Sequence, residues 1–265
     1  MLGNELAGQD DHSGRLIGAI AQTLHNSHYN LIVTPDLDYE DRLIPIRQMV
    51  ENRSVDAVIL SQVETEDARV EYLLAQNFPF VTFGRSKRAQ EHPYFDFDNE
   101  SFGIVAAQSL LRRGRKSFLL VPPPEKLSYR YHLIAGLQQI LGKTGQELEL
   151  LKGVDSHQSN EDICDALVHR FKRTDRDLVD AVIVPSTSAA IATVMAIEKV
   201  GRHVGEDIDL YAKEPSPFLQ IFRAGIFTVQ DDPATAGRFL AEAVVQAIKN
   251  PESSPMQAIR KMQNP

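Results

Sequence analysis

In the stretch HPYFDFDNESFG, residues 92–103, two carboxylates stand among aromatic side chains: Asp96 and Asp98 alternate with Tyr94, Phe95 and Phe97. A carboxylate in such surroundings is costly unless something pairs with it. One answer is local: the stretch is a short strand, and Asp98 or Asn99 accepts from the backbone N–H groups that open a helix through Phe102-Gly103-Ile104-Val105. The other is functional: acids and aromatic faces line a cleft for a polyhydroxylated ligand. The two are compatible.

Two further clusters carry the same kind of chemistry. FPFVTFGRS places Arg85 just past a strand end, and AKEPSPF places Lys213, Glu214 and Phe218 past another. With Asp96 and Asp98 they supply charged donors and acceptors beside flat rings, a composition suited to a sugar-like ligand. Other candidates fail on spacing. GLQQILGKT, residues 136–144, imitates a phosphate-binding loop but has five residues between its glycines where four are needed. Its Leu137, Ile140 and Leu141 fall on a helical period, and Gly142 is expected to end that helix. No nucleophile elbow, dinucleotide-binding glycine turn or zinc-protease histidine pair occurs, and His25 and His28 read as surface residues near a helix end. Asp231-Asp232-Pro233 reads as a helix start. The single cysteine, Cys164, excludes an internal disulfide and a multi-cysteine zinc site, and fits a reducing cytoplasm. No metal, cofactor or catalytic set is expected, and the chain is read as a non-enzyme.

The elements that position these residues follow from the pattern of the 265 residues. With 43% hydrophobic and 24% charged residues the chain can build a large core. A formal net charge of -8 argues against the chain itself gripping a polyanion. Its basic runs, Arg112-Arg113-Gly114-Arg115-Lys116 and Arg170-Phe171-Lys172-Arg173, sit where helices should end and read as solvated, dipole-compensating groups. No apolar run is long enough for a membrane span. Strands are predicted at Tyr29–Thr34, Val55–Leu60, Phe80–Phe83, Lys116–Val121, Leu148–Leu151, Asp180–Val184, Ile208–Ala212 and Ile226–Val229. Helices are predicted at Gly14–Asn26, Tyr39–Glu51, Glu66–Gln76, Asn99–Arg113, Ser128–Leu141, Asn160–Lys172, Ser188–Val200 and Pro233–Lys249. This βα alternation implies parallel sheets with helices on both faces. The carboxyl ends of such strands are where ligands sit. Here they carry Thr34-Pro35-Asp36, Ser61-Gln62, the prolines 122–124, Pro185-Ser186-Thr187 and Lys213-Glu214-Pro215. The first helix comes before any strand, so a leading strand is expected in a chain that starts earlier. Residues 250–255 read as a linker before a last short strand within Met256–Met262.

The segments FPFVTFGR, HPYFDFDNESFG, LLRRGRKSFLLVPPP and DLYAKEPSPFLQIFRAGIFTVQDDPATAGRFLAEAVVQAI resemble, in order and spacing, the effector-binding region of the lac-repressor family of bacterial transcription regulators. The FGR, HPYFDFDN and AKE combination is similar to the branch of α-glucoside regulators. The resemblance implies a periplasmic-binding-protein-like (type I) α/β fold of two Rossmann-like lobes with parallel sheets, a three-segment hinge and a ligand cleft between the lobes. It assigns residues 1–95 and 230–250 to the N-terminal lobe, and 96–229 and 251–265 to the C-terminal lobe. It also implies a cytoplasmic homodimer, with the helices around 39–51 and 66–76 near the dimer flank. Operator DNA would be reached only through an N-terminal helix-turn-helix domain absent from this sequence. The ligand positions it implies are Gly84 and Arg85, Ser186 and Thr187, Glu214, and Gln230, beside Asp96, Phe97, Lys213 and Phe218 from the residue reading. Where the family commonly has an arginine three residues before a helix glycine, this chain has Leu133 before Gly136, and Arg85 or Arg130 is the expected replacement. The alternative on the same fold is a solute-binding protein of a sugar transporter.

Overall fold

A computed structural model describes residues 11–34, 41–173 and 178–262. The chain forms two compact units. The first contains the described residues up to Phe97, with Lys126–Ser128 and Asp232–Arg260; the second contains Asp98–Glu125, Tyr129–Asp231 and the residues from Lys261.

In the first unit, helix α1 (Asp11–Leu24) turns Leu16, Ala19, Ile20 and Leu24 inward at helical spacing. Helix α9 (Pro233–Lys249) packs against it closely. A Cβ on Gly237 would lie 2.6 Å from the carbonyl oxygen of Leu16, so only glycine allows this approach. Helix α2 (Leu43–Glu51) precedes strand β1 (Val58–Leu60), and helix α3 (Ala68–Ala75) precedes β2 (Phe80–Phe83) and β3 (Tyr94–Phe97). These strands and β9 (Gln257–Arg260) form a four-stranded parallel sheet in the order β1-β2-β3-β9. Ile46, Leu60, Val70, Leu73 and Phe80 fill one of its cores. Because β9 pairs with β3, residues 257–260 belong to the first unit, a correction to the assignment of 251–265 to the second lobe. Asp96 and Phe97 likewise fall in the first unit and Gln230 and Asp231 in the second. A further correction is Tyr29–Thr34, which is not a strand. Its β-branched pattern is that of a strand, but a strand also needs a hydrogen-bonded neighbour. Pro35 and Asp36, and the expected helix start at Tyr39, lie outside the described residues.

The second unit holds β4 (Phe118–Leu120), β5 (Leu148–Leu150), β6 (Ala181–Val184), β7 (Asp209–Glu214) and β8 (Ile226–Gln230) in one parallel sheet, ordered β5-β4-β6-β7-β8. Helices α6 (Asn160–Phe171) and α7 (Thr187–Lys199) cover one face. Helices α4 (Asn99–Arg112) and α5 (Ser128–Thr144) cover the other. Buried on both faces, β6 reads as a continuous apolar run, AVIV. Helix α5 runs through Gly142 to Thr144 rather than ending there, and the rejected phosphate-loop mimic lies within it. A one-turn helix, α8 (Leu219–Phe222), follows β7.

The basic runs are not simply solvated. Asp209, fully buried at the start of β7, accepts from Arg113 Nε at 2.5 Å and Arg115 Nε at 2.8 Å, while both guanidinium groups also reach its other oxygen. Burial pushes its carboxyl up, but the two guanidinium groups outweigh this and hold it below the ordinary range. Arg170 is likewise buried, and it forks onto Glu149 of β5 at 2.7 and 2.9 Å. Each carries a charge into the packing by pairing it across the sheet edge.

Candidate functional site

The acid–aromatic stretch resolves into two separate jobs. Asp98 caps α4, accepting from the Ser101 backbone N–H at 2.9 Å and the Ser101 hydroxyl at 2.6 Å. Asp96, on β3 and nearly buried, is met by Arg85 Nε at 2.8 Å. Arg85 follows Gly84, whose φ of +112° and approach to Val63 suit glycine and turn the chain at the end of β2. The Thr82 hydroxyl donates to the Gly84 carbonyl at 2.7 Å and fixes that turn. Phe97 is buried and meets Phe83 and Phe95 edge-on at 5.9 and 5.3 Å. Two residues missed in the sequence join this strand end: the His12 ring stacks on Phe83 at 5.8 Å, and Ser13 is buried beside it in α1. The only signal for them was their place at the start of the first helix.

The loop after β1 is also held rigidly. Buried Arg69 donates to both oxygens of Asp67 at 2.9 and 2.6 Å, and to the carbonyls of Ser61 and Gln62. Gln62 itself has a left-handed φ of 51°. This clamp sets the backbone at the carboxyl end of β1.

In the second unit the carboxyl ends of β6, β7 and β8 bring several expected residues to one edge. Ser186 accepts from the Ala189 N–H at 3.2 Å and caps α7. Thr187 follows with a buried hydroxyl that has no hydrogen-bond partner in the chain among the described residues. Glu214 ends β7; its Oε2 accepts from the N–H groups of Phe218 and Leu219 at 3.0 and 2.8 Å, while Oε1 is buried without a partner among the described residues. Lys213 Nζ lies 3.5 Å from Asp231 Oδ2 and 5.6 Å from the centroid of Tyr129. Gln230 ends β8 opposite Glu214 in register. The acid pair after β8 therefore divides: Asp232 caps α9 through Ala234 and Thr235, as expected, whereas Asp231 is buried and faces Lys213. Asp231 was read from the sequence only as part of a helix start, and Tyr129 was not singled out, because their common partner Lys213 is a neighbour of neither in the chain.

Of the other expected residues, Arg130 lies elsewhere and Phe218 adjoins Glu214. Arg130 donates to the Pro123 carbonyl and lines a cavity of about 580 Å³ with Glu125, Glu149 and Asp155, at the ends of β4 and β5. Phe218 presents a half-exposed ring stacked on Phe222 at 5.7 Å and serves Glu214 through its backbone. Leu133, where the family commonly has arginine, is fully buried in the α4–α5 core. Among the described residues no group of acids, histidines or cysteine has the arrangement of a metal site.

Two parallel sheets covered by helices, with polar side chains gathered at strand carboxyl ends, define a type I periplasmic-binding-protein-like fold. The chain belongs to the family of periplasmic binding proteins and sugar binding domains of the LacI family, whose sequence profile matches residues 9–264. It is 27% identical to the HTH-type transcriptional regulator AglR of Rhizobium meliloti (strain 1021), over 94% of this chain and 70% of that protein. The structure of a putative transcriptional regulator LacI from Bacillus cereus subsp. cytotoxis NVH 391-98 superposes with a TM-score of 0.87 at 22% identity, covering 99% of this chain and 96% of that one. The transcriptional regulator CelR in complex with cellobiose does so with a TM-score of 0.85 at 17% identity, covering 99% and 80%. The chain is thus an effector-binding domain of the sugar-responsive regulators rather than a transporter component.

Proposed function

We propose that the chain binds a small carbohydrate, of the α-glucoside class, through polar residues at strand carboxyl ends. The observation that carries this reading is Glu214. One oxygen of its carboxylate is fixed by two backbone N–H groups, and the other is buried without a protein partner among the described residues. Leaving such an acceptor unmet costs about 1–3 kcal/mol, and a sugar hydroxyl would meet it. The Thr187 hydroxyl stands in the same condition one strand away. Arg85, steadied by Asp96, supplies a charged donor at the strand ends of the first sheet. The cellobiose seen with CelR supports a glycoside ligand.

The effector would act by population shift: it must bind two conformations of the regulator with different affinity, or it shifts nothing. The DNA-reading part would be an N-terminal helix-turn-helix carried by a longer polypeptide, working in the cytoplasm as a homodimer and without turnover of the sugar. A thermal-shift screen over mono- and disaccharides tests the ligand class, since a ligand of the native state raises the melting temperature. A stabilising glucoside is expected; stabilisation by no sugar contradicts the reading.

A further inference from the structure

The second unit has a cavity of about 580 Å³ at the carboxyl ends of β4 and β5, apart from the groups gathered at β6, β7 and β8. Its polar lining is mixed in kind. Arg130 gives one N–H to the Pro123 carbonyl, and the rest of its guanidinium has no partner among the described residues. The Lys152 ammonium makes no bond among them either, and Gln158 spends its amide oxygen on the Asp155 N–H, leaving its nitrogen as a donor. On the acceptor side stand the Glu125 carboxylate and the Asp155 oxygen not taken by the His157 N–H. The third acid, Glu149, is already answered by Arg170, so the cations Arg130 and Lys152 balance the anions Glu125 and Asp155. A phosphate or carboxylate site gathers positive charge. A balanced set of donors and acceptors instead suits hydroxyl groups, each of which both gives and accepts hydrogen bonds.

This cavity and Glu214 lie on one edge of one sheet. In the order β5-β4-β6-β7-β8, three strand spacings separate the end of β5 from the end of β7, a span of about 14 Å at ~4.8 Å each. Polar side chains bridge the interval. Lys213, beside Glu214, holds its Nζ 5.6 Å from the centroid of Tyr129, and the Tyr129 hydroxyl meets His157 Nε2 at 3.1 Å. His157 shares its loop with Asp155 and Gln158 of the cavity. The Ser156 N–H ties that loop to the end of β4, donating to the Pro122 carbonyl at 2.8 Å. The Thr187 hydroxyl, buried and unmet, follows β6 between the two places. Such a span exceeds a single sugar ring and matches a chain of several.

We propose that the Arg130 cavity is a second sugar subsite, holding the far end of a linear α-linked gluco-oligosaccharide whose first unit lies at Glu214. This rests on the sugar reading of Glu214 given above and extends it from a small carbohydrate to a chain of several units. Arg130 and Lys152 donate to the hydroxyls of the last ring, Glu125 and Asp155 accept from them, and Tyr129 stands beside the middle of the chain. Glu214 then decides whether a sugar binds, and the cavity decides which length binds best.

Calorimetric titrations with maltose, maltotriose and maltotetraose, on the parent chain, Arg130→Ala, Lys152→Ala and Glu214→Gln, separate the two places. The readout is the ratio of maltotetraose to maltose affinity. In the parent this ratio should be about tenfold or more, the gain from one added hydrogen bond to a charged group. Arg130→Ala and Lys152→Ala should bring the two affinities together, whereas Glu214→Gln should weaken both sugars and leave their ratio. Equal affinities in the parent, weaker binding of the longer sugars, or a ratio unchanged in both cavity variants would overturn the subsite and leave the sugar reading standing. Binding of none of the three would overturn it too, with the thermal screen left to decide the sugar reading by itself. Parent-like affinity for maltose in Glu214→Gln would contradict the reading of Glu214, and with it the placing of the first unit. Should Arg130→Ala melt early through loss of its Pro123 bond, Lys152→Ala decides, since it removes no bond among the described residues.

Discussion

At the scale of single residues, Asp96 and Asp98 show how two identical side chains, two positions apart, take different work from their surroundings. Asp98 meets backbone donors and Asp96 meets a guanidinium. Asp98→Asn should leave stability and sugar binding within a few tenths of a kcal/mol, because Asn caps a helix as well, whereas Asp98→Ala should cost about 1 kcal/mol in urea unfolding. Asp96→Asn should leave the fold intact but weaken sugar binding through a less fixed Arg85; unaltered affinity would remove Arg85 from the site. His92 makes a separate prediction. It is buried against Phe80, its Nδ1 donates to the Pro93 carbonyl at 2.8 Å, and Nε2 has no partner among the described residues. Burial, opposed by the Pro93 bond, leaves its pKa lowered from the ordinary 6.5. The unfolded chain then takes up a proton that the folded one refuses, so stability is full above about pH 6.5 and falls as pH drops below it. Denaturant melts at about pH 7 and pH 5.5 should show this loss, and His92→Gln should reduce it.

Legibility at this scale followed chain distance. Both helix caps, Asp98 and Asp232, were readable because donor and acceptor lie within three residues. Asp96 and Arg85 were readable by type but not as a pair. The grip of Arg113 and Arg115 on Asp209 was not readable, since 94 or more residues separate the partners and only the sheet brings them together.

At the scale of elements, the parallel sheets and their helices were plain in the alternation of apolar runs and amphipathic stretches, because each has its own period. What failed was whatever depends on neighbours: Tyr29–Thr34 has a strand's pattern without a strand's ladder, and α8 is too short for any period to show. Close helix packing adds a constraint that composition conceals. A Cβ on Gly136 of α5 would lie 2.1 Å from the Glu100 carbonyl oxygen of α4, and one on Gly103 would lie 2.5 Å from that of Leu133. Both contacts are with backbone and cannot relax by side-chain rotation. Gly136→Ala should therefore destabilise the second unit by about 1–3 kcal/mol, read as a lower urea midpoint; Gly142→Ala, in the same helix with open space around it, should not. Equal effects of the two would mean that helix propensity, not the α4–α5 approach, governs this pair.

At the scale of the whole molecule, a LacI-family effector domain is expected to pair with a second copy, and sedimentation of the purified chain at micromolar concentration should show a dimer. The central claim of the proposed function is that strand-end polar groups, Arg85 and Glu214 among them, bind the sugar. Calorimetric titration with the best sugar of the thermal screen, on the parent chain, Arg85→Ala and Glu214→Gln, tests it most directly. Each substitution should weaken binding by about 2 kcal/mol, roughly thirtyfold, the usual cost of losing a hydrogen bond to a charged group, while the fold melts cooperatively as before. Parent-like affinity in both variants would place the sugar away from these strand ends and contradict the account.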